Sequence, residues 1–377
     1  MMAPSLNTPV YLDYNAMAPL RPEVKQAMET ISWDMGNPSS IHGWGRKARS
    51  LLEDARARIA SLLGARPEEV IWTSGGTEGN MLALQGLSPA IQKIYVGATE
   101  HLSVTRQACP SKLEIVPVNR SGQVEEGTLR ALLAQAPGAF LCSVLWAHNE
   151  TGVLNDIQAL SALTKARGGF FHTDAIQAVG RLPLSFRDLS SVDLLTVSSH
   201  KIGGPPGIGA LLVREDVPLV PLMRGGGQER GLRSGTPNVA LAQGFAVALA
   251  CALRDPPQSP FQSWLEAQLP EDSIIFGQGV PRLPNTSCFT MPGVKAETQL
   301  IALDFSGIMV SSGAACSSGK TSLSPSLLAM GTPVDVAETA LRVSTGWNTK
   351  QEDLVHLMDA WNALYHRLHP SLQRTSL

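Results

Sequence analysis

The chain has 377 residues, enough for two domains at the usual size of about 150 residues each. Its 30 Lys and Arg stand against 32 Asp and Glu, a formal net charge of −2 with no long run of either sign. That balance argues against nucleic acid or an anionic membrane surface as a main partner.

The N-terminal MMAPSLNTPVYLDYNA has no basic stretch followed by an apolar one, so no secretory signal is expected. Between about Val70 and Val213, short apolar runs rich in β-branched residues alternate with helical patterns. VIWT at Val70, IYVGA at Ile94, FLCSVLWA at Phe140, GFFHTD at Gly169, DLLTVSS at Asp193 and GALLV at Gly209 read as strands. Helix-like apolar spacing occupies 128–136 and 157–166. This alternation predicts an α/β domain around a mostly parallel sheet. The longest apolar segment, 239–253, is interrupted by Gln243 and falls short of the roughly 20 residues of a membrane span, so it is expected as a buried helix. RDPPQSP, after Ala250, marks a composition shift and the expected domain boundary, beyond which shorter α and β segments follow. The five cysteines, Cys109, Cys142, Cys251, Cys288 and Cys316, form no CxxC pair, which predicts a reducing compartment and no zinc site.

Four of the predicted strands run into polar groups: VIWT into SGGTEGN, FLCSVLWA into HNETG, GFFHT into DAIQ, and DLLTVS into SHKIGGPPGIG. Ligands of open α/β sheets bind beyond the carboxyl ends of strands, so this convergence points to one site. SGGTEGN offers backbone N–H groups and the Thr77 hydroxyl at a helix start, either a phosphate cradle or an ordinary strand-to-helix turn. It has neither the GxGxxG nor the GxxxxGK[ST] spacing, which demotes NAD and ATP. Lys201 lies at the mouth of an apolar strand, where a lysine needs a reason. A Schiff base to pyridoxal 5'-phosphate supplies one, with Asp174 placed as acidic partner of the pyridine nitrogen or as a helix cap. Gln177, three residues on, would share a face with Asp174 on a helix starting there. Finally, VSSGAACSSGK at Val310 sets one thiol in a Ser-Gly-rich segment, a composition that reads as accessible loop and makes Cys316 a candidate reactive group.

Taken in order, TSGGTEGN, TEH, HNETG, HTDAIQ, SSHKIGGPPGIGAL, GLRSGTPN and VSSGAACSSG resemble the cysteine desulfurases, class V aminotransferase-like enzymes of pyridoxal-phosphate fold type I. The resemblance runs from YLDYNA at Tyr11 to LRVSTGWNT at Leu341. SSGAACSSG is similar to the nitrogen-fixation and housekeeping iron–sulfur group, and the Arg-x-Gly-His-His-Cys motif of the other group is absent. The resemblance implies a large domain (16–250) with a mostly parallel seven-stranded sheet and a smaller α/β domain (1–15 and 251–377) carrying the cysteine loop. It implies sulfur transfer from L-cysteine to Cys316 as a persulfide, with L-alanine released. Lys201 would hold the cofactor, Asp174 its pyridine nitrogen and Gln177 its phenolic oxygen, with His101 stacked on the ring and moving protons. Gly76, Thr77, Ser198 and His200 would hold the phosphate with Thr236 from the other subunit of a homodimer, while Asn149 and Arg342, near Asn15, would bind the substrate carboxylate. His42, His148 and His172 are expected to be structural. A cytoplasmic location and a sulfur acceptor such as an iron–sulfur scaffold protein are further implications.

Departures from the common pattern are Gly76 for alanine, Gly79 for serine, His148 for asparagine, Gly203 for an aromatic and Pro206 for lysine. The C-terminal YHRLHPSLQRTSL does not resemble the tail by which housekeeping members hold their scaffold. A selenocysteine lyase would share almost all of these residues. Another class V aminotransferase-like enzyme would need Lys201 and Asp174 but not Cys316, and a non-catalytic regulator would not need Lys201, Asp174 and Arg342.

Overall fold

The computed structural model describes residues 9–31, 36–257, 259–312 and 323–369. After β1 (Val10–Tyr11) come α1 (Pro22–Glu29) and α2 (Gly43–Leu62), then the strands of a large sheet: β2 (Val70–Thr73), β3 (Lys93–Gly97), β4 (Leu113–Val116), β5 (Phe140–Ser143), β6 (Phe170–Asp174), β7 (Leu194–Ser198) and β8 (Gly209–Val213). Between them lie α3 (Gly76–Leu87), α4 (Leu102–Thr105), α5 (Glu126–Leu133) and α6 (Ile157–Lys165), and α7 (Val239–Arg254) and α8 (Ser259–Glu266) follow. The remainder runs β9 (Thr286–Thr290), α9 (Ala296–Phe305), β10 (Ile308–Met309), β11 (Ser311–Ser312), α10 (Pro325–Ala329), α11 (Val334–Ala337), β12 (Ala340–Ser344) and α12 (Gln351–Leu368).

The large sheet has seven strands in the order β2-β8-β7-β6-β5-β3-β4, and only β8 runs against the rest. This is the mostly parallel sheet that the resemblance implies. Helices cover both faces, so β5, β7 and β8 are buried along their whole length. Leu52 and Ile59 of α2 with Phe245 and Leu249 of α7 pack in one cluster with Trp72, Leu195 and Leu212. Leu82, Leu84 and Leu87 of α3 pack in another with Ile71, Ile94 and Leu211. Gly209 is where β8 meets the turn after β2. A Cβ there would lie 2.7 Å from the Val197 carbonyl oxygen and 2.9 Å from Gly75 Cα, backbone atoms that cannot step aside.

A second, antiparallel sheet has the order β11-β12-β9, with Arg342 opposite Cys288 on one side and Ser311 on the other. Its apolar cluster joins Phe289, Leu341 and Val343 to Leu357 and Trp361 of α12, and takes in Val10 and Ile308 of the parallel pair β1-β10 with Leu12 just after it. Trp361 is fully buried, a side chain whose burial contributes on the order of 3 kcal/mol, and its Nε1 donates to Gln299 Oε1 at 3.2 Å.

Two local expectations change. FLCSVLWA keeps strand pairing only to Ser143, after which Val144 and Trp146 still donate to the carbonyls of His172 and Asp174 as the chain peels toward the site. No helix starts at Asp174. Residues 175–180 make successive turns, and Asp174 Oδ1 accepts from the Ile176 amide at 3.0 Å as an Asx turn. The apolar segment at 239 forms the expected buried helix, α7, which runs to Arg254 before the proline-rich break. Among the described residues, no helix is long and apolar enough to cross a membrane.

Candidate active site

The loops beyond β2, β3, β5, β6 and β7 meet the segment after β1 and the strand β12 around a cavity of about 330 Å³. Gly76 and Thr77 enter from the start of α3, His101 from the start of α4, Asn149 from the loop after β5, Asp174 from the end of β6 and Gln177 from the turns after it, and His200 and Lys201 from the turn after β7. Asn15 and Arg342 complete the wall. The structure thus brings together ten of the residues expected at the site, from seven separate chain segments.

Asp174 sits at the buried end of β6. Burial raises its carboxyl above the ordinary range, and hydrogen bonds from Ile176 and Asn80, with the nearby His101 and Lys201, work in the other direction. Asn80 Nδ2 donates to Asp174 Oδ2 at 2.8 Å and to Ser103 Oγ at 2.9 Å. His101 caps α4: its Nδ1 accepts from the Ser103 amide at 3.1 Å and lies 2.7 Å from Ser103 Oγ.

Lys201 Nζ donates to the carbonyl oxygens of Asn15 (2.8 Å) and Ala16 (2.7 Å). Gln177 Nε2 donates to the same Asn15 carbonyl at 3.0 Å, and Gln177 Oε1 accepts from Arg181, whose other arm reaches the Lys201 carbonyl at 3.2 Å. Asn15 in turn donates through Nδ2 to the Asn149 carbonyl (3.1 Å) and Thr286 Oγ1 (2.9 Å). Arg342 is 2 % exposed, with Nη1 on the Asn149 carbonyl at 3.1 Å and Nη2 on Asp13 Oδ1 at 2.6 Å, while Nε has no partner among the described residues. A buried guanidinium held from behind and left with an unused N–H is suited to an incoming carboxylate. Behind it Glu150 accepts from Ser324 Oγ at 2.5 Å, and burial pushes its carboxyl up to about 7.

Ser198 Oγ lies 2.9 Å from His200 Nδ1, and Ser198 is buried beside the Gly75–Gly76 turn without reaching the cavity wall. Burial, then the charge of Lys201, lowers His200 to about 4, so the ring is neutral at physiological pH. Thr236 is exposed on the loop before α7 and does not line the cavity of its own chain. Cys316 lies outside the described residues. Of the other thiols, Cys142 is pushed by burial up to about 12, Cys288 is raised by burial beyond that, and Cys109 is exposed away from the cavity. His42 caps α2 by accepting from the Gly45 amide, and burial lowers both His148 and His172 to about 3.

Two departures acquire physical reasons. A Cβ on Gly76 would lie 2.1 Å from Ile176 Cδ1, so the isoleucine fills the space of the usual alanine methyl. Gly203, just after Lys201, has φ +84°, and Arg21 packs against it where a Cβ would stand, 2.7 Å from Arg21 Cγ. The residues fit pyridoxal phosphate: a buried carboxylate for a protonated pyridine nitrogen, a primary amine across the cavity, an amide for the phenolic oxygen, and the small-residue start of α3 for a phosphate. The sequence reading missed Asp13, Asn80, Ser103, Glu150 and Arg181. Asp13 and Glu150 sat inside the quoted motifs YLDYNA and HNETG, which was the available signal, and Asn80 closed SGGTEGN. Ser103 and Arg181 carried none.

The sequence profile of the family "Aminotransferase class-V" matches residues 10–357. The chain is 37% identical over 378 residues to the cysteine desulfurase IscS of Dictyoglomus turgidum, with 95% of each chain covered. It is 39% identical over 366 residues to the IscS-like cysteine desulfurase of Mycobacterium tuberculosis, covering 91% of this chain and 93% of that one. Among solved structures, a NifS-like protein from Rickettsia africae superposes with a TM-score of 0.87 at 34% identity, covering 95% of this chain and 99% of the other. The chain belongs to the class V aminotransferase family and, within it, to the pyridoxal-phosphate-dependent cysteine desulfurases.

Proposed function

We propose that this enzyme desulfurates L-cysteine in the cavity bounded by Asp174, Lys201 and Arg342 and carries the sulfur away on Cys316 as a persulfide for iron–sulfur cluster assembly. The observation that carries the residue roles is the convergence of an amine, a buried carboxylate, an imidazole and a buried guanidinium on one cavity of about 330 Å³. Bound pyridoxal phosphate supplies the electron sink that labilises the substrate α-proton and weakens its carbon–sulfur bond. Asp174 holds the proton of the pyridine nitrogen, and Gln177 donates to the phenolic oxygen. Gly76, Thr77 and His200 hold the phosphate, with Ser198 behind them paired to His200. Arg342 and Asn149, steadied by Asn15, orient the substrate carboxylate.

Lys201 takes the α-proton. The Cys316 thiolate then attacks the substrate sulfur, so that an S–S bond forms as the C–S bond breaks and its electron pair stays with carbon. Protonation there, with His101 as a donor, releases alanine. Burial raises Cys142 and Cys288 away from the thiolate form, which supports Cys316 as the nucleophile. Thr236 reaches the phosphate of the other subunit in a homodimer; its exposure in the single chain agrees with that role. We assign 16–250 to the cofactor-binding domain and 1–15 with 251–377 to the smaller one, in a cytoplasmic enzyme.

The test is to supply L-cysteine and a reducing thiol to the pyridoxal-phosphate-loaded protein and quantify alanine and sulfide beside Cys316→Ala. Equimolar products from the parent and their loss in the variant are expected. Alanine release that survives the substitution would remove Cys316 from the reaction.

A further inference from the structure

Four polar side chains form a continuous line along one wall of the cavity: Asp174 at the end of β6, Asn80 on α3 behind it, and Ser103 and His101 at the start of α4. Three of them, Asp174, Asn80 and Ser103, are buried, at 7, 0 and 6 % exposure. Their hydrogens can be placed in turn, starting from the carboxylate. Asp174 can only accept when ionised, so the group 2.8 Å from its Oδ2 is a donor, which fixes Asn80 with Nδ2 toward it. The second hydrogen of the same Nδ2 goes to Ser103 Oγ at 2.9 Å. Asn80 Oδ1, on the other side of the amide, is buried and has no partner among the described residues, so nothing there rewards the reversed orientation. Ser103 Oγ, having accepted, has one hydrogen to give, and His101 Nδ1 stands 2.7 Å away. The Ser103 backbone amide also donates to that nitrogen at 3.1 Å, and a backbone N–H cannot reverse its role. Two donors therefore converge on Nδ1.

We propose that Asn80 and Ser103 are positioning residues that relay the polarity of the Asp174 carboxylate to His101 and hold its imidazole as the tautomer with hydrogen on Nε2. Asn80 does not line the cavity, and Ser103 lines it beside His101. They act through His101, so the inference rests on the proposed role of that histidine. A ring in this state offers a donor and no lone pair at Nε2, so it cannot take the α-proton there, which leaves that step to the Lys201 amine. The two nitrogen groups of the cavity thereby have non-interchangeable tasks. The arrangement also ties the tautomer to the ionised Asp174, which through Asn80 and the Ser103 hydroxyl adds a second donor to the backbone N–H already on Nδ1.

The test is nitrogen-15 NMR of the histidine-labelled holoenzyme, with the His101 signals assigned by their loss in His101→Gln. The parent protein should show His101 as a single species with hydrogen on Nε2. Ser103→Ala and Asn80→Leu should each give a mixture of tautomers, and Ser103→Thr, which retains the hydroxyl, should restore one. In alanine release, Ser103→Ala should lower kcat about tenfold at unchanged KM, a fraction of the roughly 10²–10⁴-fold that a positioned acid or base contributes. Hydrogen on Nδ1 in the parent, or a single unchanged tautomer in both bridge variants, would overturn the proposal. Absence of alanine from the parent would instead reject the desulfurase mechanism while leaving the tautomer measurement intact, so the two failures are distinguishable.

Discussion

Glu150 shows how one buried group ties the site to stability. Its carboxyl is raised from 4.5 to about 7, first by burial, with the Ser324 hydroxyl, Arg342 and His101 working against the shift. A raised carboxyl favours the folded state in its protonated form. Its contribution is full below pH 4.5 and is lost as pH rises toward 7. Glu150→Gln, which is neutral throughout, should match the parent near pH 4.5 and exceed it above pH 7 by an amount on the order of 3 kcal/mol. Denaturant unfolding at pH 5 and pH 8 measures this, and an equal difference at the two pH values would refute it. At this scale, Lys201 and Asp174 were legible because a lysine and an aspartate at the ends of apolar strands are out of place. Asp13 was not, because its partner Arg342 lies 329 residues away and a single acidic residue in a short motif announces no partner.

At the scale of elements, the strands that are buried on both faces were readable as apolar runs, and β4 escaped because the edge strand LEIV is only half buried and contains a charge. The turns after Asp174 escaped because DAIQAVG has helix-forming residues. Tertiary contacts hold the segment short instead: Gln177 is drawn to Asn15, and Gly180, at φ +71°, ends the run. The turn after Lys201 invites a direct measurement. Gly203 combines φ +84° with a close contact to Arg21 Cγ, so Gly203→Ala adds backbone strain and displaces that arginine. The expected loss is about 1–2 kcal/mol, read from the midpoint of denaturant unfolding, and a neutral substitution would show that the turn relaxes freely.

For the molecule as a whole, the sheet and its site follow from patterning, whereas the ties between distant segments do not. Arg56 on α2 makes a two-armed ion pair with Glu229, at 2.7 and 2.8 Å, and Glu229 also accepts from the Trp72 amide at 2.9 Å. This buried pair anchors the loop that leads to Thr236 against α2 and β2. Glu229→Gln leaves Arg56 without its main counter-charge and should cost about 3 kcal/mol, with faster loss of pyridoxal phosphate on dialysis. Unchanged stability would mean that Glu53, 3.0 Å from Arg56, suffices as a partner. The segment after β1 is the other long-range tie. Asn15 accepts from Lys201 and Gln177, yet its own amide donates to Ser344 Oγ, which lies 329 residues further along the chain. At a ribosomal pace of roughly 5–20 residues per second, that partner emerges on the order of 15–65 s after Asn15. The segment that steadies Lys201 is therefore made long before its anchor, so the cofactor pocket is completed only after β12 has been made, when most of its wall already exists.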